Sequence, residues 1–204
     1  MKRFPVLITV VVVTALACAA VWAVVDETKA EGRKFWRLDF KHTGLHYVRV
    51  GGQLVAYTTY RVVNTTGADR KFFPIFQVET ETKQLTYAMP NAAALRAIQG
   101  KHRTHFLDIG EMSGTIKAGE TRVGAAIFHK LDPEADHVKL EITGVTDAYR
   151  YLDEKARTGF QRRLYFVHWY RPGDAVDRDT DRVETKADGW IWRSTGTAGT
   201  APVD

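Results

Sequence analysis

The stretch from Phe4 to Val25 contains no charged side chain, and it constrains the rest of the chain more than any other feature. As a helix with about 1.5 Å of rise per residue, it would extend about 33 Å, enough to cross the hydrocarbon core of a bilayer. Two basic residues precede the stretch and two acidic residues follow it. This asymmetry favours a cytoplasmic N-terminus. We therefore expect residues 1–25 to be a signal anchor in the inner membrane, with the remainder outside the cytoplasm, in the periplasm.

Two other interpretations of this segment give the same compartment. Ala15-Leu16-Ala17 places small residues where a signal peptidase would cut, which is typical of a cleaved signal peptide and a secreted product. Cys18 follows directly, so the same residues resemble a lipoprotein signal. The residues after Cys18 remain apolar, whereas a lipoprotein usually turns polar there. All three interpretations export residue 26 onward.

We expect the exported part to form one folded domain between two polar segments. Residues 26–35 are polar and should form a short stalk, residues 36–193 should form a single domain, and residues 194–204 should be a disordered tail. Cys18 is the only cysteine, so this domain has neither a disulfide nor a thiolate ligand. The net charge of +5 comes from basic residues spread along the chain, which argues against a nucleic-acid partner.

The pattern of the domain is mainly β. Short runs rich in Val, Ile, Thr, Tyr and Phe alternate with turn-forming residues, without alternating long helices, which is typical of an antiparallel sandwich. One helix is predicted over residues 92–99, with Asn91 as its cap and Gly100 as its stop. The strands are predicted at Trp36–Lys41, Leu45–Val50, Leu54–Asn64, Lys71–Glu79, Gln84–Ala88, Gly114–Lys117, Arg122–His129, Val138–Thr143, Arg162–Tyr170 and Trp190–Arg193.

Three blocks of the sequence resemble immunoglobulin-like domains of exported bacterial proteins. The block Leu54–Thr80 is similar to a strand that ends in an Asn and a short turn before the next strand. Thr115–Phe128 is similar to a Gly-Glu hairpin of these domains, although Ala118 stands where Pro is usual, and Lys139–Val145 is similar to one of their last strands. The resemblance covers residues 45–172. It implies an immunoglobulin-like sandwich with one short inserted helix, in an uncharacterised envelope protein, and it implies no reaction.

The aromatic residues near the C-terminus are the best candidates for a binding site. Trp190 and Trp192 alternate across Ile191, so both side chains should lie on one face of a strand. With Trp169 and Tyr170 they would form an exposed patch that docks an envelope protein, unless core packing accounts for them. We therefore expect a structural or protein-interaction module without catalysis or cofactor.

A metal-binding domain is the alternative. His102 and His105 are spaced three apart, and His129 or His137 would complete a site. Because Gly100 is predicted to end the helix before them, helical spacing does not bring this pair together. The alternative function is a periplasmic metal-binding or metal-delivery domain.

Two weaker patterns involve acidic residues. Asp177, Asp179 and Asp181 match the first ligand positions of a calcium loop, and Asp188 falls at its last position. Arg182 replaces the glycine that such a loop needs for its sharp turn. A hydrolase would instead need paired acidic side chains in a concave pocket, which the sequence alone does not reveal.

Overall fold

The computed structural model describes residues 34–132, 134–172 and 183–194. Within these ranges the chain forms twelve strands and two helices. In chain order they are β1 (Asp39–His42), β2 (His46–Val50), β3 (Gln53–Val63), β4 (Arg70–Phe72), β5 (Ile75–Thr80), β6 (Leu85–Tyr87), α1 (Ala92–His102), α2 (Ile109–Met112), β7 (Gly114–Ile116), β8 (Thr121–Phe128), β9 (His137–Thr143), β10 (Tyr149–Asp153), β11 (Thr158–Tyr170) and β12 (Glu184–Ser194). The prediction of a mainly β domain is confirmed.

A four-stranded antiparallel sheet, called here the small sheet, is built around β3. Strand β8 pairs with residues 56–63 of β3. Strands β2 and β1 pair with residues 53–57 and 60–63. Because the β2 and β8 pairings overlap at Ala56 and Tyr57, they use opposite edges of β3. Strands β1 and β2 therefore lie end to end along one edge.

A six-stranded antiparallel sheet, called here the large sheet, is built around β9 and β11. Strands β6, β5, β9 and β11 follow one another across it. Strand β10 pairs with the first part of β11 and β9 with its second part, so they share one edge of β11. Strand β12 pairs with residues 161–170 along the other edge. Strands β4 and β7 form a separate two-stranded pair.

Side chains from both sheets meet in one hydrophobic core. Phe40, Tyr60 and Phe128 of the small sheet belong to the same buried cluster as Phe76 and Trp169 of the large sheet. A second cluster lies beneath α1 and is lined by Val55, Tyr57, Ala94, Ile98, Phe106, Ala125 and Ile127. The small sheet is thus covered on both faces. This double cover explains why residues 55–60 are buried without alternation, whereas a strand with one wet face would alternate.

The predicted helix forms with its predicted cap but does not end at the predicted residue. The Asn91 carboxamide oxygen accepts the Ala94 N–H at 3.0 Å. The helix continues through Gly100 to His102, and Arg103, with a φ of 51°, ends it by donating its N–H to the Gln99 carbonyl. A glycine inside a helix costs about 1 kcal/mol, which the rest of the helix tolerates. Gly100 as the stop is therefore a wrong prediction.

Three further features differ from the expected elements. Pro74 separates the single strand predicted over residues 71–79 into β4 and β5, which belong to different sheets. Helix α2 was not predicted, and Asp108 and Glu111 form a capping box at its start. Strand β12 begins at Glu184 and includes Ser194, the first residue of the predicted tail.

The predicted membrane segment lies outside the described residues, as do nearly all of the predicted stalk and the tail from residue 195. Within residues 34–132, 134–172 and 183–194, no helix has the length and apolar character needed to span a bilayer.

Candidate functional site

The four aromatic residues predicted to form one patch are divided between two faces of the large sheet. Trp169 is fully buried in the core between the sheets. Tyr170 follows it on β11, so its side chain points to the opposite face, called here the outer face. Burial therefore removes Trp169 from the predicted patch. Alternation along the strand places Tyr170 on the face opposite to Trp169.

Trp190 and Trp192 do share one face of β12, and both are half-buried. The Trp190 ring packs edge-on against Tyr165, with ring centroids 5.3 Å apart. The Trp192 ring lies under the guanidinium groups of Arg150, at 4.5 Å, and Arg163, at 5.6 Å. Cation–π contacts of this kind fix the Trp192 ring in place, so the two tryptophans are held by neighbouring aromatic and arginine side chains.

A groove of about 730 Å³ opens at the adjoining end of the large sheet. Its aromatic wall is a row of rings: Phe35 meets Tyr149 edge-on at 5.7 Å, and Tyr149 packs against Phe160 at 5.6 Å. Phe73 and Ile75 form the opposite rim and are 59% and 54% exposed. We call this feature the arginine–aromatic groove. Its volume suits a peptide segment or a small ligand.

Backbone conformation at one glycine sets the shape of the groove. Gly144 follows β9 with a φ of +82°, a conformation that other residues adopt only with strain. A side-chain carbon at this position would overlap the carbonyl oxygen of Phe73. The loop after β9 therefore approaches the segment before β5 closely, and this approach places Phe73 at the groove rim.

The charged side chains of the groove are mostly basic. The guanidinium of Arg162 lies 5.6 Å from the centre of the Phe160 ring. Arg163 and Lys34 also line the groove. Burial lowers the pKa of the Arg163 guanidinium from its ordinary value. The groove therefore offers positive charge beside apolar rings, which suits a ligand with acidic and apolar parts.

Asp147 is the acidic residue among the groove-lining side chains. Its carboxylate accepts the backbone N–H of Trp36 at 2.8 Å. Burial raises the pKa of the Asp147 carboxyl, and this hydrogen bond opposes the rise. Asp147 therefore fastens the start of the domain to the loop before β10, and its contact is structural.

The structure places the two predicted metal-ligating histidines against different partners. His102 is the last residue of α1, and its Nε2 lies 2.8 Å from the Tyr57 hydroxyl. Burial, and after it the charges of His46 and Lys101, lowers the pKa of His102. His105 lies with its Nδ1 3.4 Å from the Gln99 amide nitrogen. In the described part of the chain, no three His, Cys, Asp or Glu side chains gather where they could hold a metal ion.

Asp188, the last position of the predicted calcium loop, lies in β12. Its carboxylate accepts a hydrogen bond from the Tyr165 hydroxyl at 2.7 Å and lies 3.5 Å from His42 Nε2. The other acidic residues of that pattern lie outside the described residues.

Sequence reasoning missed most of the groove. Phe35 was assigned to the stalk, and Tyr149 belongs to β10, which was not predicted. A signal for β10 is present, because Tyr149 and Tyr151 alternate as strand residues do. Phe73 stands next to Pro74, and this Phe-Pro step at a strand boundary could have indicated an exposed rim.

No protein-family model, no curated protein and no solved structure matches this chain.

Proposed function

We propose that this protein is a membrane-tethered, extracytoplasmic β-sandwich that binds an envelope protein through the arginine–aromatic groove and performs no catalysis. The observation that carries this proposal is the groove itself. It combines a row of aromatic rings, exposed Phe73 and Ile75, and the basic side chains of Lys34 and Arg162. Aromatic residues and Arg dominate the energetic centres of protein interfaces, because they bury large areas and form strong directional contacts.

An immunoglobulin-like sandwich is the fold that we propose within the mainly β architecture. Two antiparallel sheets that share one core support it. So does the turn between β7 and β8. There the Glu120 carboxylate accepts the Lys117 N–H at 2.7 Å and the Arg122 Nε–H at 2.6 Å. Gly119, the glycine of the Gly-Glu pair in the resemblance, takes a positive φ in this turn.

The tether gives the groove a position in the cell. Residues 26–33 separate the predicted anchor from Lys34, and fully extended they span at most about 28 Å. Lys34 and Phe35 line the groove. In this proposal the groove therefore lies close to the outer surface of the inner membrane. Its partner would be an extracytoplasmic segment of a neighbouring membrane protein, with acidic and apolar side chains.

Photocrosslinking in intact cells tests this proposal. A photoreactive amino acid at Phe73 of the full chain should capture one discrete partner. The same residue at Met89, which is equally exposed at 59% but is hydrogen-bonded to β8 of the small sheet, should not. The charge reversal Arg162→Glu should reduce the yield at Phe73, whereas Arg157→Glu, at the turn between β10 and β11, should not. Equal capture at Phe73 and Met89 would refute the groove as the binding site.

The predicted location needs a separate measurement. Protease added to spheroplasts should digest the domain while the protein remains in the membrane fraction. A product that is fully protected, or that is recovered from the cytosol, would refute the tether and the periplasmic location.

A further inference from the structure

We propose that His137 and His168 bind one divalent transition-metal ion on the outer face of the large sheet. Imidazole nitrogen is a preferred ligand of Ni²⁺, Cu²⁺ and Zn²⁺. This site is distinct from the pair expected from sequence spacing, His102 and His105. It also does not depend on the proposed partner of the groove.

Strand register brings the two imidazoles together. His137 begins β9 and pairs with Tyr170 of β11, so His168 is its diagonal neighbour on the same face. The adjacent pair, Val138 and Trp169, is fully buried in the core and holds the two strands in this register. The ring centroids of the two histidines lie 5.1 Å apart. The pair is therefore preorganised by the core beneath it.

The distance between the two ring nitrogens matches a shared metal ion. His137 Nδ1 lies 3.0 Å from His168 Nε2. Two nitrogens bound to one metal at about 2.0–2.1 Å lie roughly 2.9 Å apart at a right angle and roughly 3.4 Å apart in a tetrahedral site. The observed separation falls between these values, so one ion lying to the side of the line between the two nitrogens would bind both once each ring turns its lone pair toward it.

Without a metal ion the same two nitrogens form a hydrogen bond, in which one imidazole N–H donates to the other ring. Metal binding breaks this bond. The donor ring then carries its proton on its other nitrogen, and both facing nitrogens supply lone pairs to the ion. The exchange needs neither an oxidant nor a reductant.

The surroundings favour the neutral imidazole that a metal ion needs. Burial lowers the pKa of His168, and the nearby ammonium groups of Lys139 and Lys186 lower it further, while Glu81 opposes them. Those lysines also repel a cation, so the affinity of the site for a metal ion should be moderate.

Glu81 fixes the backbone at the start of β9. Its carboxylate accepts the N–H of Asp136 at 2.5 Å and the N–H of His137 at 2.8 Å. It thereby fixes the backbone from which the His137 side chain extends. With two imidazoles as its protein ligands, the ion would keep positions for water or for a ligand from another molecule.

Calorimetric titration of Ni²⁺ into the purified full chain, prepared without a polyhistidine tag, tests this site. The wild type should bind about one Ni²⁺ per chain, and His168→Gln and His137→Gln should each weaken binding at least about tenfold, which is about 1.4 kcal/mol. His105→Gln is the matched control and should leave the affinity unchanged. Circular dichroism confirms that each variant is folded, and because His137 is exposed, its variant should fold even if His168→Gln does not.

Two results would overturn the site. One is a wild type that binds no Ni²⁺. The other is an affinity that survives His137→Gln; loss of binding in His105→Gln would then return the metal site to the pair expected from the sequence.

Discussion

Replacement of Asn64 by alanine should be among the most destabilising polar substitutions in this domain. Asn64 directly follows β3 and is fully buried. Its side-chain amide donates to the carbonyl oxygens of Ala68, at 2.8 Å, and Ile116, at 2.9 Å. Its side-chain oxygen accepts the N–H of Thr66 at 3.1 Å and the hydroxyl of Thr66 at 2.8 Å. One side chain thus joins the loop after β3 to the end of β7.

The expected magnitude follows from these four hydrogen bonds. A typical intramolecular hydrogen bond contributes about 1 kcal/mol net, so their loss should lower the free energy of unfolding by about 4 kcal/mol. For a domain of this size, that change corresponds to a fall of about 8–16 °C in melting temperature. The variant Asn64→Asp should be nearly as harmful, because a buried carboxylate cannot donate to the two carbonyl oxygens.

Urea unfolding of the full chain, followed by tryptophan fluorescence, measures this loss. Asn91→Ala provides the matched control, since at the half-buried start of α1 it removes the capping hydrogen bond and a 3.3 Å contact with His129 Nδ1, and it should cost about 1 kcal/mol. If Asn64→Ala costs no more than Asn91→Ala, the four contacts do not carry the stability that we assign to them.

Two further predictions concern stability. Gly144→Ala should lower the free energy of unfolding by at least about 2 kcal/mol, because it adds an overlap with the Phe73 carbonyl to the strain of a positive φ. Thermal melting measures this loss. Gly51→Ala is the control and should cost less, because φ is also positive there but the space is open. Burial lowers the pKa of His42 from 6.5, so the unfolded chain binds the proton more tightly and stability should fall as the pH drops below 6.5, by up to about 1.4 kcal/mol per pH unit. Melting curves between pH 7.5 and about 5 should show a smaller fall for His42→Asn than for the wild type, and an unchanged slope would contradict this linkage.

Much of the fold could be predicted because strand composition and turn residues are local signals. The long strands β3, β8 and β11 contain branched and aromatic residues bounded by turns, and each was found within a few residues of its ends. The N-cap at Asn91 was also local and was found. The errors arose where a local signal had two meanings. Glycine is found inside helices as well as at their ends, and Gly100 lies inside α1. Pro74 lies where the chain passes from one sheet to another, although a continuous strand was expected there.

The candidate site could not be predicted in the same way, because it depends on which face of each sheet is covered. Trp169 and Trp190 are alike in sequence, yet one lies in the core and the other at its margin. The groove brings Phe35, Phe73 and Tyr149 together from distant parts of the chain. Such contacts follow from register and packing, which one sequence without its fold does not specify.

The two sheets differ in which of their faces are exposed, and this difference determines where a binding site can lie. Helix α1 packs against the face of the small sheet that lies away from the core, so that sheet is enclosed between α1 and the core. The outer face of the large sheet carries the exposed Ile75, Leu85 and Tyr87. On this face the groove lies at the Thr143 end of β9 and the histidine pair at the His137 end, separated by the length of β9, about 20 Å.

Substitutions this far apart should act independently. We therefore expect Arg162→Glu to reduce partner capture without changing Ni²⁺ affinity, and His137→Gln to do the reverse. A partner that supplied the open metal positions would instead couple the two effects, and Ni²⁺ would then raise the crosslinking yield at Phe73.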